Sequence, residues 1–362
     1  MENFVVSARK YRPLDFDSVV GQSHVTDTLQ QAIDSNKLPQ ALLFCGPRGV
    51  GKTTCARILA RKINEKTGGN EDSDFSFNIY ELDAASNNGV NEMRELIDQV
   101  RFAPQVGKYK VYIIDEVHML STAAFNAFLK TLEEPPAHAI FILATTEKHK
   151  IIPTILSRCQ IYDFKRIQIQ DIQNYLKGIA EKEKVEYEDD ALFLIAQKAD
   201  GALRDALSIF DRLVTFTQKN ITLAKAAEIL NVLDYDYYLE IVDLAKKGDI
   251  PGILSKFNEI INKGFDAHIF IAGLGSHFRD LMMAQNPNTI DLIEVGEKTK
   301  KKYIQQSKDW LPQELVDAVE ICNLADINYK SSQNQRLTIE IALMQLSSIS
   351  TSRDSKKKSL KS

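Results

Sequence analysis

A glycine-rich stretch near residue 50 has the residue types and spacing of a phosphate-binding loop. Residues 46–54 read GPRGVGKTT, and the first eight fit the pattern G-x-x-x-x-G-K-[ST]. The glycines permit a loop whose N–H groups converge on phosphate oxygens, and a following helix adds its positive N-terminus. Lys52 would reach the β- and γ-phosphates, and Thr53 would hold Mg²⁺. A chance turn before a helix is the alternative, but all eight positions and both flanks fit. The predicted site comprises Gly46, Pro47, Arg48, Gly49, Val50, Gly51, Lys52, Thr53 and Thr54.

Two carboxylates follow a second apolar run, in the sequence YIIDEVH at 112–118. Asp115 stands at the predicted strand end, where a second Mg²⁺ ligand belongs in an enzyme with this loop. Glu116 could orient and deprotonate the water that attacks the γ-phosphate. The alternative is that both residues only solubilise a strand end, but the upstream loop favours catalysis. His118 has no second ligand at metal spacing, so a structural role is predicted for it.

The elements that must position these residues alternate between strands and helices. Nearly continuous apolar runs at 41–44, 110–116 and 139–146 are typical of parallel strands buried on both faces. Helical segments at 90–101 and 122–133 separate them. This alternation predicts an α/β fold with a doubly wound parallel sheet and ligands at the carboxyl ends of its strands.

After about residue 168 the pattern becomes helical. It predicts a small all-helical domain, then a second helical domain, and a Lys-rich disordered tail. The small domain contains helical segments at 171–183, 189–199, 202–217 and 222–231. The predicted domains are 1–168, 169–232 and 233–348, with the tail at 349–362.

Composition limits the class of protein. The 362 residues carry 45 Lys and Arg against 49 Asp and Glu, and 44% are hydrophobic, which indicates globular domains. No apolar run is long enough to cross a bilayer and no signal peptide is evident, so a cytoplasmic location is expected. The four cysteines lack C-x-x-C spacing, which argues against disulfides or a cysteine zinc site. With a net charge of −4, nucleic-acid binding would need a local positive surface.

The motifs, in this order, resemble the gamma/tau family of bacterial DNA polymerase III clamp-loader subunits, which are AAA+ ATPases. The resemblance extends from about residue 9 to about 346, and ILSRC with LEEPP separates clamp loaders from most other AAA+ proteins. The segments that carry it are KYRPLDFDSVVGQ (10–22), GPRGVGKTT (46–54), ELDAASNNGV (81–90), VYIIDEVHMLS (111–121), FNAFLKTLEEPP (125–136), LATTE (143–147), ILSRC (155–159), GALRDALS (201–208) and NQRLTIEIALMQL (334–346).

The resemblance implies further roles in ATP hydrolysis. Thr146 resembles the sensor-1 residue at the γ-phosphate, with Thr145 as the less favoured substitute. Arg158 resembles an arginine finger that acts on a neighbouring subunit's nucleotide, and Arg204 resembles sensor 2 in the lid. Without the motifs, Arg158 would be interpreted as a surface or ion-paired residue beside Cys159, and Arg204 as a residue on the polar face of its helix. The segment that resembles the adenine enclosure comprises Tyr11, Arg12, Pro13, Val19, Val20 and Gly21.

The resemblance also implies partners. They are the delta and delta-prime subunits, further copies of gamma/tau, the sliding clamp and primer-template DNA, the last bound without sequence preference. A loop at 86–89, with Arg94, Arg101 or Lys130 nearby, could hold a DNA phosphate, although ordinary capping and surface roles are equally compatible. ATP and Mg²⁺ are the implied cofactors.

Two departures from the family pattern limit what is implied. Many members carry a four-cysteine zinc module before the DAAS segment, but residues 64–78 contain no cysteine, so no zinc is predicted. The family's longer form continues past the collar domain, and the sequence is compatible with either the short form or a truncated long form.

Two other functions are compatible with parts of the sequence. One is an AAA+ motor of the Holliday-junction branch-migration type, against which ILSRC and the collar-like helices argue. The other is a catalytically silent scaffold like the delta-prime subunit, against which the intact Lys52, Thr53, Asp115 and Glu116 argue.

Overall fold

The computed structural model describes residues 6–66, 75–230, 232–233, 235–293 and 295–359. The chain forms two compact units. The first comprises the described residues of Met1–Lys184 with Ile195–Phe216, and the second those of Val185–Leu194 with Thr217–Ser362. The units do not divide at the predicted boundaries, because helical segments expected in a separate lid belong to the first unit. The division into three domains and a tail therefore stays a prediction.

The first unit contains a five-stranded parallel sheet in the order β2-β3-β4-β1-β5. Every residue of β1 and of β4 is buried, as their continuous apolar runs predict. β2 and β5 lie at the sheet edges and are partly exposed, so their mixed polarity gave no strand signal. The strands are β1 (Ala41–Cys45), β2 (Ile79–Asp83), β3 (Lys110–Asp115), β4 (Ala139–Thr145) and β5 (Gln160–Asp163).

Helices cover both faces of this sheet, which confirms the predicted doubly wound fold. Leu29 and Leu59 belong to the hydrophobic core on one face, and Met93 and Phe128 to the core on the other. The helices of this unit are α1 (Ser7–Lys10), α2 (Ser23–Asp34), α3 (Lys52–Lys66), α4 (Val90–Val100), α5 (Thr122–Glu133), α6 (Pro153–Leu156) and α7 (Ile169–Glu183), together with parts of α8 (Asp189–Lys198) and α9 (Leu203–Thr217).

The second unit is mostly helical. Two short strands, β6 (Glu186–Tyr187) and β7 (Asn220–Ile221), pair in parallel within the segment predicted to be entirely helical. Two residues are too few to produce a periodic strand pattern, so this pair is not detectable in the sequence. The remaining helices are α10 (Leu223–Ile229), α11 (Tyr235–Lys247), α12 (Ile250–Asn262), α13 (Ala267–Ala284), α14 (Glu297–Ser307), α15 (Pro312–Tyr329) and α16 (Gln335–Ser359).

The core of the second unit is formed around α13. Phe270, Leu274 and Phe278 of this helix are buried in a cluster that also includes Ala318 of α15 and Leu343 of α16. The backbone of α16 continues as helix to Ser359, through the Lys-rich segment for which composition predicts a disordered tail. In the part of the chain that the structure describes, no helix has the length and apolar character needed to span a bilayer.

Candidate nucleotide site

The glycine-rich loop joins β1 to α3, as the sequence predicts. Gly46 has φ of +149°, and a Cβ atom there would overlap the carbonyl oxygen of Phe164. Gly49 has φ of +78°, and a Cβ there would lie 3.0 Å from Cβ of Ala202. Both positions therefore require glycine for backbone conformation and for space. The neighbouring strand fixes the start of the loop, since the Gly46 N–H donates to the Thr145 carbonyl oxygen (3.2 Å).

Lys52 is the first residue of α3 and is buried. Its Nζ donates to the carbonyl oxygens of Gly46 (2.8 Å) and Pro47 (2.7 Å), both of which belong to the loop. Burial lowers the pKa of the ammonium group, and the nearby carboxylates of Glu116 and Asp115 oppose that shift. The ammonium group is thus held at the loop by partners that phosphate oxygens could replace.

Thr53 and Asp115 meet although they are far apart in the sequence. The Thr53 Oγ1 donates to Oδ2 of Asp115 (2.6 Å), and the other carboxylate oxygen, Oδ1, accepts from the Glu116 N–H (3.0 Å). A hydroxyl and one carboxylate are oxygen ligands suited to Mg²⁺, which usually takes its other ligands from phosphates and water. The donor set therefore fits the predicted Mg²⁺ site.

Glu116 is held against the end of β4. Its backbone is in the left-handed region, with φ of 48°, which an L-residue adopts only at a cost of roughly 1–2 kcal/mol. Its Oε2 accepts from Thr146 N–H (3.2 Å) and Thr146 Oγ1 (3.0 Å). Thr145 is fully buried, and its Oγ1 accepts from the Glu147 N–H (3.0 Å). Of the two threonines, Thr146 is the one that contacts Glu116, and its sensor-1 role stays a prediction.

The two predicted arginines lie in different places. Arg204 is near the start of α9, and its backbone N–H approaches the Gly49 carbonyl oxygen (3.4 Å), so it lies beside the glycine-rich loop. Arg158 follows α6 and is not among the side chains that line the pocket formed by the glycine-rich loop with Asp115 and Glu116. Its NH2 donates to Oε1 of Glu133 (2.6 Å) and its NH1 to the Thr154 carbonyl oxygen (2.6 Å).

The predicted adenine segment lines the same pocket as the loop. Its position depends partly on α7, because the Tyr175 hydroxyl donates to the Tyr11 carbonyl oxygen (2.7 Å) and Tyr11 OH donates to Glu183. Sequence reasoning missed the apolar residues that complete the wall, since isolated aliphatic residues carry no motif. The predicted residues of the segment that line the pocket are Tyr11, Arg12, Pro13, Val19 and Val20, and the missed residues are Ala8, Ile167, Leu203 and Leu207.

The predicted DNA-contact residues share one surface. Gly89 caps α4, and Arg94, Arg101 and Lys130 line a groove between α4 and α5. All three cationic side chains are exposed, and Arg101 lies 3.7 Å from Asp98. Asp98 and Glu134 line the same groove, so it carries three cationic and two anionic side chains.

Comparison with known proteins assigns the family. Family models match successive segments: one described as DNA polymerase III, delta subunit, at 21–168, one as DNA polymerase III clamp loader subunit, ATPase lid domain, at 171–219, and one as DNA polymerase III subunits gamma and tau domain III, at 221–361. DNA polymerase III subunit gamma of Buchnera aphidicola subsp. Baizongia pistaciae is 33% identical over an alignment of 374 residues, gaps included. The alignment covers 96% of this chain and 98% of that protein. This chain belongs to the DNA polymerase III gamma/tau family. The resemblance seen in the sequence is confirmed.

Longer members of the family are similar over part of their length. DNA polymerase III subunit tau of Bacillus subtilis is 38% identical over 351 residues, 93% of this chain and 62% of that protein. The Escherichia coli K12 subunit tau is 38% identical over 299 residues, 79% of this chain and 46% of that protein. The chain therefore spans about half to three fifths of these tau subunits.

A solved structure shows the same fold. A point variant of Thermotoga maritima RuvB is 23% identical, with a TM-score of 0.50, over 65% of this chain and 78% of that one. At this identity the similarity concerns architecture alone. It agrees with the predicted AAA+ fold, in which a parallel sheet carries the glycine-rich loop.

The remaining cysteine and metal predictions have different outcomes. All four cysteines are unpaired and buried, as predicted. Burial raises the pKa of Cys45 to about 11 and that of Cys55 to about 12, which keeps these thiols protonated and unreactive. Much of the segment in which no zinc module is predicted, residues 67–74, lies outside the described residues. The absence of zinc stays a prediction.

Proposed function

We propose that this chain is an ATP-hydrolysing motor subunit of a bacterial clamp loader, acting in the cytoplasm. In this proposal, ATP binding and hydrolysis drive the opening of a sliding clamp and its loading onto primed DNA. The observation that carries it is the convergence of Lys52, Thr53, Asp115 and Glu116 at the carboxyl edge of one parallel sheet, in a member of the gamma/tau family.

Each side chain has a defined task in the proposed reaction. Lys52 exchanges its two loop carbonyls for phosphate oxygens, and Thr53 and Asp115 hold Mg²⁺. When bound, Mg²⁺ neutralises charge that develops on the phosphates. Glu116 leaves Thr146 to orient and deprotonate the attacking water, while Thr146 turns to the γ-phosphate or that water. Arg204 closes over the phosphates from the side of α9.

Efficient hydrolysis requires a second subunit in this proposal. Arg158 is held by Glu133 and Thr154 and does not line its own chain's pocket, which supports its assignment as a finger for a neighbouring subunit. Such a finger is worth roughly 10³–10⁵ in rate. Turnover by the isolated chain is therefore expected to be slow, and the delta and delta-prime subunits and further copies of the chain would complete the active assembly.

DNA is the proposed allosteric ligand of that assembly. The loop before α4 and the groove with Arg94, Arg101 and Lys130 would contact the phosphate backbone. Contacts of this kind position the duplex without reading its sequence. Primed DNA of unrelated sequences should accordingly stimulate hydrolysis to a similar extent.

The decisive experiment mixes this chain with delta, delta-prime, clamp and primed DNA and measures ATP hydrolysis. We expect turnover by the mixture to exceed that of the dilute chain by about 10³-fold or more, because only the mixture supplies the finger. Equal turnover by the isolated chain would overturn the proposal. The alternative of a catalytically silent scaffold predicts that the chain alone does not bind ATP. Measured ATP binding by the isolated chain would therefore exclude it.

A further inference from the structure

His118 lies directly behind the proposed general base. It is the middle residue of a 3₁₀ turn, Val117–Met119, that begins immediately after Glu116. Its side chain is only 7% exposed. Its Nδ1 lies 3.1 Å from Oγ1 of Thr145 and 3.5 Å from Oε2 of Glu116, and its Nε2 lies 3.2 Å from Oε2 of Glu147. The imidazole therefore connects the turn that carries Glu116 to the segment 145–147 at the end of β4.

The ring makes one hydrogen bond across to β4, between Nδ1 and the Thr145 hydroxyl, and its Nε2 faces the Glu147 carboxylate. In the tautomer that carries its hydrogen on Nε2, Nδ1 is the acceptor and the Thr145 hydroxyl donates to it. The Thr145 oxygen in turn accepts from the Glu147 N–H (3.0 Å). Imidazole, hydroxyl and backbone amide thus form a continuous chain inside the protein.

The position of Glu116 needs such a support. Its left-handed backbone is strained, and both hydrogen bonds to the side-chain oxygen Oε2 come from Thr146. Thr146 is also the residue proposed to turn to the nucleotide. Once Glu116 leaves Thr146 for the attacking water, it loses those two hydrogen bonds, and the turn that carries it remains attached to β4 through the contact between His118 and Thr145.

We infer that His118 is a positioning residue for ATP hydrolysis: through its hydrogen bond to Thr145 it fixes the turn that presents Glu116 to the attacking water. This inference rests on the proposed function and extends it to a residue outside the glycine-rich loop and the two carboxylates. His118 does not touch nucleotide in this role. Its loss should reduce kcat and leave nucleotide affinity unchanged, because the phosphate-binding loop is built by other residues.

The test compares three substitutions that separate the two ring nitrogens. His118→Phe fills the ring volume without hydrogen bonds, His118→Asn places an amide where Nδ1 lies, and His118→Gln places one where Nε2 lies. Stimulated hydrolysis is measured with the full chain in the complete assembly, and ATP affinity is measured on the chain alone. We expect kcat to fall about 10- to 100-fold in His118→Phe and His118→Gln and about threefold or less in His118→Asn.

A second arm tests the partner. Thr145→Val removes the hydroxyl while keeping the side-chain shape, and it should lower kcat about as much as His118→Phe. The double variant should be no slower than either single variant, because both remove the same hydrogen bond. If the two single-variant losses of kcat multiplied in the double variant, His118 and Thr145 would act independently, and the inference would be overturned. His149→Asn, at an exposed histidine nearby, is the matched control and should retain parental kcat.

The outcomes separate this inference from the function on which it rests. If the parent assembly shows no stimulated hydrolysis, or if Glu116→Gln hydrolyses ATP like the parent, the proposed function itself fails. If those two behave as proposed but His118→Phe retains parental kcat, the positioning role is wrong. A loss of ATP affinity in all three His118 variants, without rescue by Asn, would assign the histidine a merely structural role and would also overturn it.

Discussion

Side chains of the nucleotide site are already paired with groups that a ligand would replace. Lys52 donates to two loop carbonyls, Thr53 donates to Asp115, and Glu116 accepts from Thr146. Each of these bonds is local to the first unit, so the site is assembled by the fold of that unit. In the proposed function, nucleotide binding would exchange these partners without having to organise the loop, which would limit the conformational cost of binding.

Replacing Lys52 with alanine tests the phosphate loop. Lys52→Ala should weaken ATP binding by about a hundredfold, since it removes charge-assisted bonds to the phosphates. Isothermal titration of the chain with ATP and Mg²⁺ measures the change, and Lys37→Ala, at an exposed lysine, serves as the control. Unchanged affinity in Lys52→Ala would remove the loop from the nucleotide site.

Replacing Glu116 with glutamine separates binding from catalysis. The amide retains the size of the side chain but cannot take a proton from water, so turnover should fall roughly 10²–10⁴-fold while ATP affinity stays within about twofold. Affinity is measured on the isolated chain and turnover in the stimulated assembly. Full hydrolysis by Glu116→Gln would show that another group is the base.

Helices α5 and α6 together hold the proposed finger. Arg158 follows α6, and Glu133 is the last residue of α5, so their ion pair joins the ends of two helices. Both side chains are partly exposed, and an exposed pair of this kind contributes about 0–1 kcal/mol to stability. The pair is therefore better suited to orient Arg158 than to stabilise the unit.

Glu133→Gln should reduce stimulated hydrolysis without affecting the fold. Because the guanidinium loses the anion that orients it, we expect a loss of about tenfold, compared with roughly 10³–10⁵ for Arg158→Ala. ATP affinity and melting temperature of the isolated chain should be unchanged. The adjacent Glu134→Gln is the control, and an equal loss in both glutamate variants would argue against orientation by Glu133.

The second unit contains a buried polar network that makes its stability depend on pH. The Tyr303 hydroxyl donates to His277 Nδ1 (2.7 Å), and His277 Nε2 donates to Gln306 Oε1 (3.1 Å). Burial lowers the pKa of His277 to about 4, although the hydrogen bond to Gln306 opposes the shift. The folded unit thus keeps this histidine neutral at pH values where an unfolded chain, with a histidine pKa of about 6.5, protonates it.

Acid should therefore destabilise the second unit in a defined range. The contribution of neutral His277 to the free energy of unfolding is fully present above about pH 6.5. It is lost as the pH falls toward 4, by roughly 3 kcal/mol in all. Urea unfolding followed by the fluorescence of Trp310, the single tryptophan and part of this core, measures it. His277→Gln should flatten the dependence of the unfolding free energy on pH, whereas His149→Gln should preserve it. If the unfolding free energy of His277→Gln varied with pH as steeply as that of the parent, His277 would not be the group responsible.

Some parts of the structure could be predicted from the sequence and others could not, for physical reasons. Central strands β1, β3 and β4 are buried on both faces and so have continuous apolar sequences, whereas the edge strands β2 and β5 have mixed ones. The loop and the two carboxylates are recognisable because their chemistry needs fixed residue types at fixed spacing. Residues that act through a partner far along the chain have no such spacing, and for that reason Glu133 was missed and His118 was assigned only a structural role.

The amino-acid sequence by itself determined the phosphate loop, the parallel α/β core and the family, because each depends on residue types at short, fixed separations. Only the tertiary structure decided which of two adjacent threonines faces Glu116, that Arg158 lies away from its own chain's pocket, and that His118 joins the turn after Glu116 to β4. The physical reason is that these are contacts between separate elements. Their distances depend on how the strands and helices pack, and no local pattern records that packing.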